Sequence, residues 1–173
     1  MSRRPCLHVA AAIMRRDDEV VLVLQGAPGE EPFWALPGGV VDEGELVPEA
    51  LAREVLEETG LEIVLPARLA YVRQIDDRRP GRLRPADDSG RGALATVWVF
   101  DTDAWEGELG ARDPDGVVHE ARLVPLGDAV THLGRTTWLE LAADYLEGRV
   151  EPGSLHFERW HEDGRVEVVS AAK

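Results

Sequence analysis

The stretch GGVVDEGELVPEALAREVLEETGL, Gly38 to Leu61, decides how this chain is read. Counted from Gly39 it runs Gly, five residues, Glu45, seven residues, Arg53-Glu54, apolar Val55, one residue, Glu57-Glu58, one residue, Gly60 and apolar Leu61. The pattern fits a helix that begins near Leu46 or Val47 and stops at Gly60. Pro48 suits a first turn, where a missing N–H costs nothing, and Gly60 tolerates the left-handed backbone that ends a helix. At about 100° per residue, Glu54, Glu57 and Glu58 fall within an arc of roughly 100°, so their carboxylates share one face. Leu51, Ala52, Val55, Leu56 and Thr59 gather on the adjoining face, which packs against a sheet. Arg53 lies one turn before Glu57 and braces it by an i,i+4 contact.

Carboxylates at this density repel one another, and a bound divalent cation relieves the repulsion. Oxygen donors without His or Cys favour Mg²⁺, with Mn²⁺ the alternative, over zinc. The chemistry that follows is hydrolysis at phosphorus, in which the metal polarises a phosphoryl oxygen and lowers the pKa of a bound water. Gly38 and Gly39 bring backbone close to metal or phosphate where a side chain would obstruct it. A glutamate-rich surface helix is ordinarily only a solvated face. Here seven identities stand at fixed spacing, from Gly39 to Gly60. With residue frequencies of roughly a tenth or less, such a match arises by chance on the order of once in 10⁷ starting points.

At every specified position the stretch resembles the Nudix box. The resemblance implies an α/β fold, the Nudix α/β/α sandwich with a mixed β-sheet, over nearly the whole chain. It implies a metal site of Glu54, Glu57, Glu58 and the carbonyl of Gly39, with Arg53 as the orienting arginine. Glu54 and Glu58 are thereby the catalytic carboxylates. Glu45 either stands behind the metal site or favours the helix N-terminus through the dipole. The activity implied is Mg²⁺-dependent hydrolysis of a pyrophosphate bond in a nucleoside diphosphate linked to another moiety. Nucleoside triphosphate clean-up is the first expectation, and ADP-ribose or nucleotide-sugar hydrolysis the alternative. A non-catalytic nucleotide-binding or regulatory Nudix domain is the reading of another class; such departures show as damage to the box, and this box is intact.

Length and composition set the frame. At 173 residues and 19.0 kDa the chain is expected to form a single domain, residues 1–173, with a core that needs no disulfide. The one cysteine, Cys6, cannot form an internal bridge, which suits a reducing cytoplasm; in strand-like surroundings it reads as core filler. No run approaches a membrane span. Arg3-Arg4 followed by LHVAAAIM imitates an export signal, but cleavage there would remove a core strand, so export is rejected. A formal net charge of −14 argues against nucleic acid as a partner. Free nucleotides remain compatible with it, because the metal carries the positive charge.

Strands are expected at about 7–14 and 19–25, followed by Phe33-Trp34-Ala35-Leu36 leading into the glycines. Trp34 is a candidate for stacking on a nucleobase, or else core packing. After the box come an apolar stretch near 63–72 and a polar segment, Arg73 to Gly92, carrying Arg73, Arg78, Arg79, Arg82, Arg84 and Arg91. Guanidinium forks suit phosphate, so Arg73 and Arg84 are substrate-binding candidates; the alternative pairs these arginines with Asp76, Asp77, Asp87 and Asp88 on a solvated surface. Residues 93–100 read as a buried strand, and a further strand is expected near 117–125.

Thr137 to Glu140 looks like a capping box opening a helix that Gly148 ends, with Trp138, Leu141, Ala142 and Tyr145 as core. A C-terminal hairpin is expected at about 154–171, turning at Glu162-Asp163-Gly164. Its Phe157 and Trp160 are candidates for a homodimer contact or for the core. A proton acceptor for the attacking water is either a box glutamate or a downstream acid. Glu120 is the first downstream candidate, while Asp113 and Asp115 also suit a turn with Pro114 and Gly116.

Overall fold

The computed structural model describes residues 5–27, 29–65, 67–79, 92–111, 114 and 116–169. Arg82, Arg84, Arg91, Asp87, Asp88, Asp113 and Asp115 lie outside the described residues. Strands β1 (Cys6–Arg16), β2 (Glu19–Gln25), β3 (Phe33–Ala35) and β4 (Gly38–Val40) precede helix α1 (Val47–Thr59). Strands β5 (Leu61–Ile63), β6 (Arg68–Asp77), β7 (Leu94–Thr102), β8 (Trp105–Gly107) and β9 (Val118–Pro125) follow. Helices α2 (Leu126–Leu133) and α3 (Glu140–Leu146) and strands β10 (Ser154–Trp160) and β11 (Val166–Val168) complete the order.

Strand β1 is the spine because its period-two alternation sends different apolar sets to opposite sides. Ala10, Ala12 and Met14 pack with Val21 against Ala50, Leu51 and Val55 of α1. Ala11 and Ile13 pack with Val20, Leu22, Tyr71 and Val99 against Ala129, Leu133, Ala142 and Leu146 of α2 and α3. The result is a sheet with helices on both faces, an α/β/α sandwich. The sheet runs β11-β10-β6-β7-β1-β2-β3, with β4 added to β1 and β9 to β2. Pairs β1–β7 and β6–β10 are parallel while β1–β2, β2–β9 and β6–β7 are antiparallel, so the sheet is mixed. Strands β5 and β8 form a separate antiparallel pair beside the end of α1.

Helix α1 starts where the Leu46 N–H donates to Glu49 Oε2 at 2.8 Å, and ends at Gly60 with φ 72°. Its buried face is Ala50, Leu51, Val55, Glu58 and Thr59. Leu56, expected on that face, is 39% exposed. Glu58 takes the inward position instead, which turns the helix by a fraction of a turn from the purely apolar stripe.

Several local expectations are corrected. Strand β6 continues through Arg73 to Asp77, so the first part of the polar segment is sheet and not loop. Cys6 is exposed, at the open start of β1. Thr137 caps nothing: α3 begins at Glu140, and it is the Thr136 carbonyl that accepts from the Leu139 and Glu140 N–H groups, at 3.0 Å each. Trp138 therefore precedes the helix and packs its ring 4.8 Å from that of Trp160. Trp160 is fully buried, which leaves Phe157 as the more exposed of the two hairpin aromatics.

Candidate active site

The carboxylates of α1 meet backbone at the two glycines of β4. Glu58 is 7% exposed, and its Oε2 accepts the Gly38 N–H at 2.7 Å. Gly38 lies in the left-handed half of the map, φ 149°, and a Cβ there would sit 2.2 Å from the Ala10 carbonyl oxygen. A Cβ on Gly39 would sit 2.4 Å from both Cδ and Oε1 of Glu54. Both positions therefore require glycine: one by conformation and crowding, the other because a carboxylate occupies the space.

Arg53 is the hub of the charges. It donates to Glu45 through Nε and Nη2 at 2.9 Å each, to Glu54 Oε1 at 2.8 Å, to Glu57 Oε2 at 3.3 Å and to the Val40 carbonyl at 3.1 Å. The i,i+4 contact with Glu57 is present but is the longest of the set. Sequence reasoning missed the main partner, Glu45, whose Oε2 also accepts the Asp42 N–H at 3.0 Å. These bonds have opposite effects on two acids. Arg53 holds the Glu45 carboxyl below its usual range, whereas burial pushes Glu54 up against the pull of the same guanidinium.

Among the described residues no set of three carboxylates converges as ligands; Glu45, Glu54 and Glu57 surround Arg53, and Glu58 turns to the Gly38 N–H. The donor set nonetheless fits a hard divalent ion. Every donor is oxygen, and Glu54 and Glu57 each give Arg53 one oxygen while the other has no donor among the described residues.

Gly38 also lines a cavity of about 630 Å³ on the far side of β4. Its floor is Val9, Ala11, Val97 and Val99, from β1 and β7, and its walls include Phe33, Tyr71 and Trp138. Arg79 and Arg135 border it. Arg79 is engaged: it pairs with buried Asp77 at 2.8 Å and stacks 4.3 Å above Trp160. Arg135 is exposed and has no ion-pair partner among the described residues.

The remaining candidates are placed as follows. Arg73 lines the cavity but is 3% exposed and committed. It donates to both Glu158 oxygens at 2.9 and 2.7 Å and to the Thr137 and Trp138 carbonyls at 3.1 and 2.9 Å. Its geometry is that of a brace joining β6, β10 and the turn before α3, and not of a free phosphate fork. Trp34 does not line this cavity. Strand alternation turns Phe33 and Ala35 toward it, and Trp34 is held between the Arg122 guanidinium at 4.7 Å and the His132 ring at 5.8 Å. Glu120 sits opposite Leu24 on β9, 43% exposed and bonded to Arg122 at 2.8 Å. Arg122 holds its carboxyl below the usual range, the wrong direction for a base that works near neutrality. Arg84 lies outside the described residues.

A mixed sheet between helices, with a carboxylate helix abutting an aromatic-walled cavity through a glycine strand, defines the class as an α/β/α sandwich built around an oxygen-donor site. The chain belongs to the Nudix family, whose model, described as NUDIX domain, matches residues 5–153. It is 37% identical over 110 residues to an ADP-ribose pyrophosphatase of Methanocaldococcus jannaschii, covering 62% of this chain and 58% of that protein. It is 40% identical over 57 residues to a putative 8-oxo-dGTP diphosphatase of Bacillus subtilis, covering 33% of this chain and 36% of the other. To the 8-oxo-dGDP phosphatase NUDT18 of Danio rerio it is 28% identical over 138 residues, 80% of this chain and 42% of the relative. The chain thus spans less than two thirds of the length of these relatives.

Among solved structures, a MutT NUDIX hydrolase from Burkholderia pseudomallei superposes with TM-score 0.60 at 24% identity, covering 82% of this chain and 98% of the other. A MutT protein from Bacillus halodurans superposes with TM-score 0.63 at 19% identity, covering 95% of each. At that identity the two likenesses speak to the fold. No helix among the described residues is long and apolar enough to cross a membrane.

Proposed function

We propose that the protein is a Mg²⁺-dependent pyrophosphohydrolase that cleaves a nucleoside diphosphate linked to another moiety, with nucleoside triphosphates as its principal substrates. One observation carries the proposal: Gly38 touches both halves of the site, giving its N–H to Glu58 while lining the cavity. A nucleotide whose organic part fills the cavity therefore extends its phosphates toward α1.

In this reading Glu54, Glu57 and Glu58, with the Gly39 carbonyl, hold Mg²⁺, or Mn²⁺ in its place. The ion supplies Lewis acidity at a phosphoryl oxygen and charge neutralisation for the leaving phosphate. Glu57 is the carboxylate most readily released to it, since its bond to Arg53 is the longest, at 3.3 Å. Arg53 keeps Glu54 in place while Glu45 fixes Arg53 from behind. Glu54 Oε2, free of donors among the described residues, is the oxygen left for the ion, and a box glutamate would accept the proton of the attacking water. Glu120 serves no step, because its carboxylate is turned to Arg122.

The relatives named for 8-oxo-dGTP and 8-oxo-dGDP support a nucleoside polyphosphate. The archaeal relative, named an ADP-ribose pyrophosphatase, supports ADP-ribose as the second reading. A panel of nucleoside triphosphates, oxidised purine nucleotides, ADP-ribose and nucleotide sugars, assayed with Mg²⁺ and again with chelator, tests the proposal. Cleavage of a nucleoside triphosphate that chelator abolishes is the expected result. Failure to cleave any member overturns it, and cleavage of ADP-ribose alone transfers the assignment to the second reading.

A further inference from the structure

Gln25 and Phe33 stand side by side on one wall of the cavity. They are directly opposed in the antiparallel pairing of β2 with β3, and both line the cavity, so their side chains leave the strands on the cavity side with Cβ atoms about 5 Å apart. Ala35, two residues on from Phe33, lines it too, which fixes the phase of the wall. On the other edge of β2 the pairing with β9 shifts register between Leu24 and Gln25. Irregularities of this kind re-aim a side chain and are common beside sites.

The fold uses neither side chain. Phe33 is 41% exposed and packs in none of the core clusters. The Gln25 carboxamide is half-buried and makes no hydrogen bond to a described residue. The cations on the cavity wall are differently placed, since Arg73 and Arg79 are held by Glu158 and Asp77.

A carboxamide sets a donor beside an acceptor and carries no charge. It therefore pairs at two points with an edge that places an N–H next to an acceptor, whereas a phosphate, all acceptor, meets only half of it. Each standard nucleobase has such an edge, and its ring has a face that stacks on an aromatic side chain. Gly38 lies on the same wall, five residues beyond Phe33, so an extended chain of at most roughly 16–18 Å separates them. A base held at Gln25 and Phe33 thus leaves its phosphates directed toward Gly38 and α1.

We infer that Gln25 and Phe33 form the nucleobase subsite of this cavity, Phe33 lying on the ring face and the Gln25 amide pairing with a donor–acceptor edge. The inference rests on the nucleotide reading of the site but not on hydrolysis, so the two are tested separately. Wild type, Gln25→Met and Phe33→Leu are titrated by calorimetry, at a temperature where melting curves show each folded, with AMP, GMP, CMP and UMP. Purine riboside 5′-monophosphate is the contrasting probe, since its ring has acceptors but no N–H on its edges. Wild type is expected to bind the best of the four natural nucleotides at least about tenfold more tightly than the probe. Gln25→Met, which keeps the length of the side chain and loses the amide, is expected to bring the two together. Phe33→Leu is expected to weaken all five ligands by a common factor and to preserve the ratio.

The inference is overturned if wild type binds the probe as tightly as the best natural nucleotide, if Gln25→Met keeps the ratio, or if Phe33→Leu leaves the affinities unchanged. A wild type that binds none of the five overturns the nucleotide reading together with the inference. Base-dependent binding by a wild type that cleaves no nucleotide would sink only the hydrolytic proposal.

Discussion

Glu45 gives both of its carboxylate oxygens to Arg53, at 2.9 Å each, and so fixes from behind the guanidinium that holds Glu54 and Glu57. The eight-residue separation of Glu45 and Arg53 spans the start of α1, so the fork closes the loop before the helix onto the helix itself. Because it acts through Arg53, Glu45→Gln is expected to lower kcat/KM by about 10- to 100-fold while the melting point stays near that of wild type. Mg²⁺ affinity measured by calorimetry should fall with it. Undiminished activity in Glu45→Gln would leave the fork without a role in the site.

The approach of Glu54 to Gly39 gives a second test. An alanine Cβ at residue 39 would meet the Glu54 carboxylate at 2.4 Å, so Gly39→Ala must displace that side chain. A displacement near 1 Å at a reacting group costs on the order of 100-fold, and that fall in kcat is expected. Gly127→Ala, in α2 with nothing within 4 Å of the added carbon, is the control and should leave kcat unchanged. Equal kcat for Gly39→Ala and wild type would separate Glu54 from catalysis.

Arg73 distinguishes structure from substrate binding. As a buried brace bonded to Glu158, its replacement by methionine should destabilise the fold by about 3–5 kcal/mol, read by denaturant melts. A residue that gripped phosphate would instead raise KM and leave stability almost untouched. That second pattern would contradict the brace.

Alkaline stability reports on the other face of the sheet. The Tyr145 hydroxyl donates to Asp101 Oδ2 at 2.8 Å, and burial, reinforced by that bond, pushes its pKa up to about 12. An unfolded tyrosine titrates near pH ~10, so the stabilisation is whole below that pH and is lost as the pH rises toward 12. Melts from pH 8 to 12 should show the decline in wild type and a flatter profile in Tyr145→Phe, which should also cost about 1–2 kcal/mol at neutral pH. Identical profiles would contradict the assignment.

What the sequence made legible follows from how local each feature is. The box residues lie within one helix and the strand before it, so their spacing encodes their geometry almost directly, and β1, β2 and β7 announced themselves by apolar runs. Helix α2 is eight residues long, enters straight from Pro125 at the end of β9 and has no side-chain cap, so it carried almost no signal. The partner of Arg73 was not legible because Glu158 lies 85 residues downstream, where pairing depends on the parallel register of β6 and β10. The two readings of Trp34, base stacking or core packing, stayed open for a simpler reason. Which of Phe33, Trp34 and Ala35 faces the cavity depends on strand phase, and a one-residue shift exchanges the faces.

The most direct test of the carboxylate site is the rate of Mg²⁺-dependent nucleotide hydrolysis by Glu58→Gln beside wild type, with melting points confirming that both are folded. Glutamine keeps the volume and an acceptor for the Gly38 N–H but loses the charge. A fall in kcat of at least about 100-fold at unchanged melting point is predicted. A Glu58→Gln protein that turns over as fast as wild type would contradict the assignment of this helix as the catalytic centre.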